Sequence, residues 1–235
     1  MKAYALSDTG LVRELNEDTV LVREGKHMLC ILADGMGGHR AGEVASALAA
    51  KKVADMLSGK QPMPADMMQA VLSANRAVYA QQKDNPDQQG MGTTLTALWE
   101  DEDSVVIGHV GDSRAYLYRT GRLHQMTEDH SMVGEMLREG LITQDEARSH
   151  PYRNVITQAV GTDETVKPDV LRTIKMPGDK WLLCSDGLSD MVEDSEIARV
   201  IGQYSAREAA QVLMSMALKN GGRDNVSVIL LEVGA

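Results

Sequence analysis

The stretch DTVLVREGKHMLCILAD, residues 18–34, decides the fold. Two apolar runs, TVLVR and HMLCILA, flank Glu24-Gly25-Lys26 and read as a β-hairpin. A three-residue loop from Gly25 to His27 sets Asp18 directly opposite Asp34, and a loop one residue longer or shorter sets the two on a diagonal. Facing residues stand about 4.5–5.5 Å apart at Cβ, and like charges there are destabilising. A cation or its water shell between the two carboxylates resolves the conflict. The hairpin therefore predicts an antiparallel sheet and, at one end of it, a place for a hard, oxygen-liganded ion such as Mg²⁺ or Mn²⁺.

Outward from the hairpin, residues 41–58 and 66–83 carry apolar residues at helical spacing, the second through Met67, Val71, Ala74 and Val78. The runs TTLTALW, SVVIGHV and RAYLYR read as a three-stranded meander, with turns at Glu100–Asp103 and Gly111–Ser113. Residues 129–160 are short, polar and partly helical, with Thr143 and Glu146 spaced as a capping box, and read as an irregular insert. Pro177-Gly178-Asp179 leads into the strand WLLC. A helix from Ser205 to Lys219 opens on a Ser205/Glu208 capping box and stops at Gly221-Gly222, and NVSVILLEV is a strand buried on both faces. Hairpins and helix pairs without regular βαβ alternation predict an α+β fold, sheet layers covered by helices. No linker divides the chain, so 1–235 is expected to form a single domain.

Composition narrows the function. The chain has 235 residues and a formal net charge of −10, which disfavours nucleic acid or an anionic membrane as the main partner. Cys30 and Cys184 lie in apolar runs and read as buried thiols. The first residues, MKAYALSDTG, lack the apolar core of a signal peptide, and no run approaches a membrane span. A cytoplasmic monomer is the default expectation.

Five acidic motifs are scattered along the chain: Asn16-Glu17-Asp18, Asp34-Gly35, Gly111-Asp112, Asp186-Gly187 and Asp224-Asn225. Asp34, Asp112 and Asp186 follow strand ends, whereas Asp18 and Asp224 precede strand starts. In antiparallel sheets those ends share one edge, so all five can converge as a binuclear metal site requires. A dinucleotide-binding loop is the rival reading of Gly35-Met36-Gly37-Gly38-His39. It fails because Arg40 stands at the third glycine position and Asp34 would face a pyrophosphate.

The motifs RELNED (13–18), ADGMGGH (33–39), GTT (92–94), GDSR (111–114), TEDHS (127–131), SDGLSD (185–190) and DNVS (224–227) occur in that order. The series resembles the metal-dependent type-2C (PPM) protein serine/threonine phosphatases in their compact bacterial form. The resemblance implies a four-layer α-β-β-α sandwich, two antiparallel sheets flanked by helix pairs. It implies two Mn²⁺ or Mg²⁺ ions, with Asp34 bridging, Asp186 and Asp224 completing the first and the Gly35 carbonyl serving the second. Asp18, with Glu17 as a further candidate, would hold water ligands of the metals. Asp112, with Asp186, would serve a weaker third ion. Arg13 would bind the substrate phosphate, and 129–160 would be a mobile flap. Asn225 is expected to support its neighbours through hydrogen bonds, and Thr93 and Thr94 to be strand and turn residues.

One position departs from the pattern. Other branches of the family carry a histidine two residues after the bridging Asp; here it is Met36, which carries no proton, and His39 is the candidate substitute. The expected activity is hydrolysis of phosphoserine and phosphothreonine in proteins by direct attack of a water activated at the metal pair. The expected counterpart is a eukaryotic-type serine/threonine kinase. A pseudophosphatase that binds phosphoproteins without turnover is the alternative, and a metal-dependent nuclease is disfavoured by the acidic charge.

Overall fold

The computed structural model describes residues 1–37 and 41–234. Its strands are β1 (Lys2–Asp8), β2 (Thr19–Arg23), β3 (Leu29–Ala33), β4 (Gly35–Met36), β5 (Gly92–Thr93), β6 (Leu95–Glu100), β7 (Ser104–Val110), β8 (Arg114–Arg119), β9 (Arg122–Gln125), β10 (Asp169–Ile174), β11 (Lys180–Cys184) and β12 (Val226–Glu232). Its α-helices are α1 (Gly42–Leu57), α2 (Pro64–Asp84), α3 (Met132–Arg138), α4 (Gln144–Ser149), α5 (Asp186–Ser189), α6 (Asp194–Gln203) and α7 (Ala206–Lys219). Two five-stranded sheets, ordered β1-β12-β11-β8-β9 and β10-β7-β6-β3-β2, are antiparallel throughout.

Alternation along the strands assigns the layers. Leu29 and Ile31 of β3 pack under α1 and α2, while Cys30 and Leu32 face the other sheet. Val226, Val228 and Leu230 of β12 pack under α6 and α7, while Ile229 and Leu231 point inward. The space between the sheets is filled by Trp181, Leu183, Ile107 and Leu98 among others. The order is helix pair, sheet, sheet, helix pair, the four-layer sandwich that the resemblance implies. Both cysteines are buried free thiols, and burial pushes each up to about 12.

The hairpin register is as the first stretch predicts: Thr19 faces Ala33 and Val20 faces Leu32. Both expected capping boxes are present, at Thr143/Glu146 and Ser205/Glu208. The expected three-stranded meander is not. β6 and β7 pair, but β8 belongs to the opposite sheet, against β11 and β9. A strand has two edges, and those of β7 are taken by β6 and β10. Gly111-Asp112-Ser113 is therefore a crossing between sheets and not a hairpin turn. Strands β1 and β10 and helix α6 form no part of the expectation from sequence.

Candidate metal centre

Strands β3, β7 and β11 end at one rim of the sandwich, and β2 and β12 begin there, so their polarity delivers all five acidic motifs to the same place. A hydrogen-bond net joins the motifs. Asp34 N–H donates to Thr94 Oγ1 (2.9 Å), and Thr94 N–H and Thr93 Oγ1 donate back to the Asp34 carbonyl (2.8 and 2.9 Å). Thr94 Oγ1 also meets Ser113 Oγ at 2.8 Å, next to Asp112. Gly35 N–H donates to the Glu17 carbonyl (3.2 Å), and Glu17 N–H to Asn225 Oδ1 (2.8 Å). Ser185 Oγ donates to Asp18 Oδ2 at 3.0 Å, joining the motif before β2 to the one after β11. Gly35 permits a close backbone approach here: a Cβ there would lie 2.3 Å from the Gly42 carbonyl oxygen and 2.5 Å from that of Glu17.

The carboxylates resist ionisation here. Burial first, then the fields of Asp18, Asp186, Asp112 and Asp224, pushes the Asp34 carboxyl well above its usual range. Asp186 is pushed up likewise, by burial and then by Asp112, Asp190, Asp224 and Asp18. Burial raises Asp18 to about 6 against the pull of the Ser227 and Ser185 hydroxyls. Asp112 rises to about 7, through burial and then the charge of Asp129. Glu17 also moves up, chiefly by burial, although the Gly42 N–H at the start of α1 holds its carboxylate.

The residues fit a hard divalent cation. Among the described residues, five buried side-chain polar atoms lack a hydrogen-bond partner, and two of them are Asp18 Oδ1 and Asp186 Oδ1. A buried acceptor left unpaired costs about 1–3 kcal/mol, more if charged. Two such oxygens in one acidic cluster call for a cation in a way that a hydrogen-bonded turn does not. The donors are all oxygen, which suits Mg²⁺ or Mn²⁺. No group of three His, Cys, Asp or Glu side chains among the described residues closes into a cage as it stands. Asp224 is instead turned onto Arg13, whose Nη2 lies 2.8 Å from Asp224 Oδ2.

Arg13, Asp112, Asp186 and Asp224 line a cleft of about 1020 Å³ whose far wall is the segment 131–154. That segment holds α3 and α4, and its stems meet where Ser131 pairs with Ile156. His130 braces the stem. Its Nδ1 accepts the Gly111 N–H (3.1 Å), its own N–H donates to the Gly111 carbonyl (2.8 Å), and its Nε2 lies 3.1 Å from Asp169 Oδ2. His39 lies outside the described residues. Sequence reasoning did not single out Ser185, Ser113 or His130. The signal available for them was membership in the motifs SDGLSD, GDSR and TEDHS.

Residues 12–221 match the model of a family described as Protein phosphatase 2C. The chain is 44% identical over 236 residues to the serine/threonine protein phosphatase PstP of Mycobacterium tuberculosis, covering 99% of this chain and 45% of that protein. It thus spans about half the length of that relative. It is 37% identical to the serine/threonine phosphatase stp of Listeria monocytogenes, covering 99% of this chain and 96% of the other. The catalytic domain of PstP, solved with two manganese ions, superposes with a TM-score of 0.90 at 41% identity, covering 100% and 98% of the two chains. Motif order, strand polarity and these likenesses agree along nearly the whole length, and the chain belongs to the protein phosphatase 2C family.

Proposed function

We propose that the chain is a protein serine/threonine phosphatase, hydrolysing phosphoserine and phosphothreonine monoesters with Mg²⁺ or Mn²⁺ held at the acidic rim. In this reading residues 1–235 act as one catalytic domain with 129–160 as its flap. The observation that carries the reading is the pair of unpaired buried oxygens, Asp18 Oδ1 and Asp186 Oδ1, among carboxyls held above their usual range. The names of the relatives and the manganese in one of their structures support it.

Asp34, Asp186, Asp224 and the Gly35 carbonyl would hold two ions, Asp18 and Glu17 would act through water, and Asp112 with Asp186 would take a weaker third. Bound there, the ions would lower the pKa of a water to roughly 7 and neutralise charge on the phosphoryl oxygens. Arg13 presents a planar fork suited to phosphate oxygens, and the Asp224 carboxylate already holds it at the rim. Water adds to phosphorus, the ester P–O bond breaks, and the departing serine or threonine oxygen takes a proton. His39 is the candidate proton donor, since Met36 has none to give. Phosphoproteins made by a eukaryotic-type serine/threonine kinase would be the substrates.

The test is hydrolysis of p-nitrophenyl phosphate and a phosphothreonine peptide with Mn²⁺, beside an EDTA control. Turnover that survives EDTA would sink the metal assignment. Tight phosphopeptide binding without turnover at saturating Mn²⁺ would establish the pseudophosphatase alternative, which has no use for the retained carboxylates.

A further inference from the structure

Among the described residues nine large hydrophobic side chains are exposed, and five of them sit in two short segments: Leu11, Val12 and Leu15 in one, Tyr152 and Val155 in the other. Each segment also carries an arginine that lines the acidic cleft, Arg13 and Arg153. We propose that these apolar side chains form a docking rim for phosphorylated segments with large aliphatic or aromatic residues beside the phosphoserine or phosphothreonine. The inference rests on the phosphatase reading and adds the class of sequence that the site prefers.

Scattered exposed hydrophobics need no explanation, but clusters beside a functional cleft mark interaction surfaces. Leu11 and Val12 are 69% and 67% exposed, and they flank the arginine assigned to phosphate. Their exposure does not come from a slack backbone. Leu11 N–H donates to the Gly222 carbonyl at 2.7 Å, and Asn225 Nδ2 donates to the carbonyls of Thr9 and Leu15 at 2.9 and 2.8 Å. Gly10, at φ +80°, lets the loop lie against the strand-β12 lead-in, where a Cβ would come within 2.2 Å of the Asp224 carbonyl oxygen. The second segment is held as well, since Met132 N–H donates to the Val155 carbonyl at 2.8 Å. Preordered apolar groups lose little entropy when a ligand covers them.

Charge competes only in part for the choice of flanking residue. Six arginines line the cleft: Arg13, Arg114, Arg138 and Arg148 are already paired, with Asp224, Asp129, Glu128 and Glu193, while Arg153 and Arg223 make no ion pair among the described residues. An acidic flank that reached the four paired arginines would have to displace their carboxylates. An apolar flank meets no such penalty.

The experiment compares three phosphothreonine peptides that differ only beside the phosphothreonine: Leu and Tyr, Ser and Asn, or Asp and Glu. Each is assayed with Mn²⁺, and every enzyme is normalised to its own p-nitrophenyl phosphate turnover. The apolar peptide should show kcat/KM about tenfold above the other two, equivalent to 1.4 kcal/mol, mostly through KM. The variant carrying Leu11→Ser, Val12→Ser and Leu15→Ser should bring the three peptides to within about twofold of one another. Tyr152→Ser, alone, should remove part of the preference. Equal rates in the parent enzyme, or a preference for the acidic peptide, would overturn the inference while leaving the phosphatase reading intact. Absence of turnover on every substrate would bring down the phosphatase reading and this inference with it.

Discussion

Asn225 joins more of the rim than any single carboxylate. One buried side chain accepts from Glu17 N–H and donates to the carbonyls of Thr9 and Leu15. It thereby fastens the Arg13 loop and the Glu17-Asp18 turn to the lead-in of β12. Asn225→Ala leaves a donor and two acceptors without their partner, and should cost about 1–3 kcal/mol in denaturant unfolding. The same variant should raise KM for a phosphopeptide and also lower kcat, because it loosens both the Arg13 loop and the Glu17-Asp18 turn. Asp34→Asn and Asp186→Asn should behave oppositely. Each removes a charge that the fold holds only reluctantly, so the metal-free variants should melt higher than the parent. Turnover should fall beyond the roughly 10–100-fold that loss of an outer partner of a metal ligand costs. A metal-free variant that melts lower would show that Asp34 or Asp186 is a structural hydrogen-bonding group.

At the scale of the element, sequence specifies structure where the interactions are local. The β2–β3 hairpin and the helix boxes were legible because turn residues and caps act over three or four positions. Ser205→Ala removes the cap oxygen of α7, which accepts the Glu208 N–H. It should cost about 1 kcal/mol and lower Tm by about 2–4 °C, the shift expected for a domain of 150–250 residues. Turnover should be unaffected, because Ser205 lies outside the cleft lining; calorimetry and the p-nitrophenyl phosphate assay check the two halves. The false meander has the opposite cause. Gly111-Asp112-Ser113 has the composition of a hairpin turn. Whether β8 folds back on β7 depends on β10, some sixty positions further on, which takes the free edge of β7. No local pattern reports that competition. His130 belongs to the same class, since its contacts reach Gly111 and Asp169.

Across the whole molecule, the acidic rim opposes folding when no cation is bound. Asp18, Asp112, Asp34 and Asp186 have folded pKa values raised above those of the unfolded chain. The native state therefore binds more protons than the unfolded state, and its stability is lost as pH rises from about 4 through 6 and 7. His109 acts in the other direction. Its imidazole is pushed down to about 4, by burial and then by His130, so its contribution is lost as pH falls below 6.5. Four carboxylates outweigh one imidazole, and metal-free protein should melt lower at pH 8 than at pH 5.5. Mn²⁺ should then raise Tm more at pH 8, where its ligands are deprotonated, which a thermal-shift titration in EDTA and in Mn²⁺ measures. An equal Mn²⁺ effect at both pH values would place the cation elsewhere. The sequence alone determined which residues would carry charge, which end of each strand would hold it, and that Asp18 would face Asp34, because strand polarity and pleat follow from nearest neighbours. Only the tertiary structure decided that β8 crosses to the second sheet, that Ser185 and Ser113 tie the acidic motifs together, and that Asp224 leans on Arg13. Those outcomes depend on which distant edges and hydrogen-bonding groups are still free once the sheets have formed, and that is a property of the packed chain as a whole.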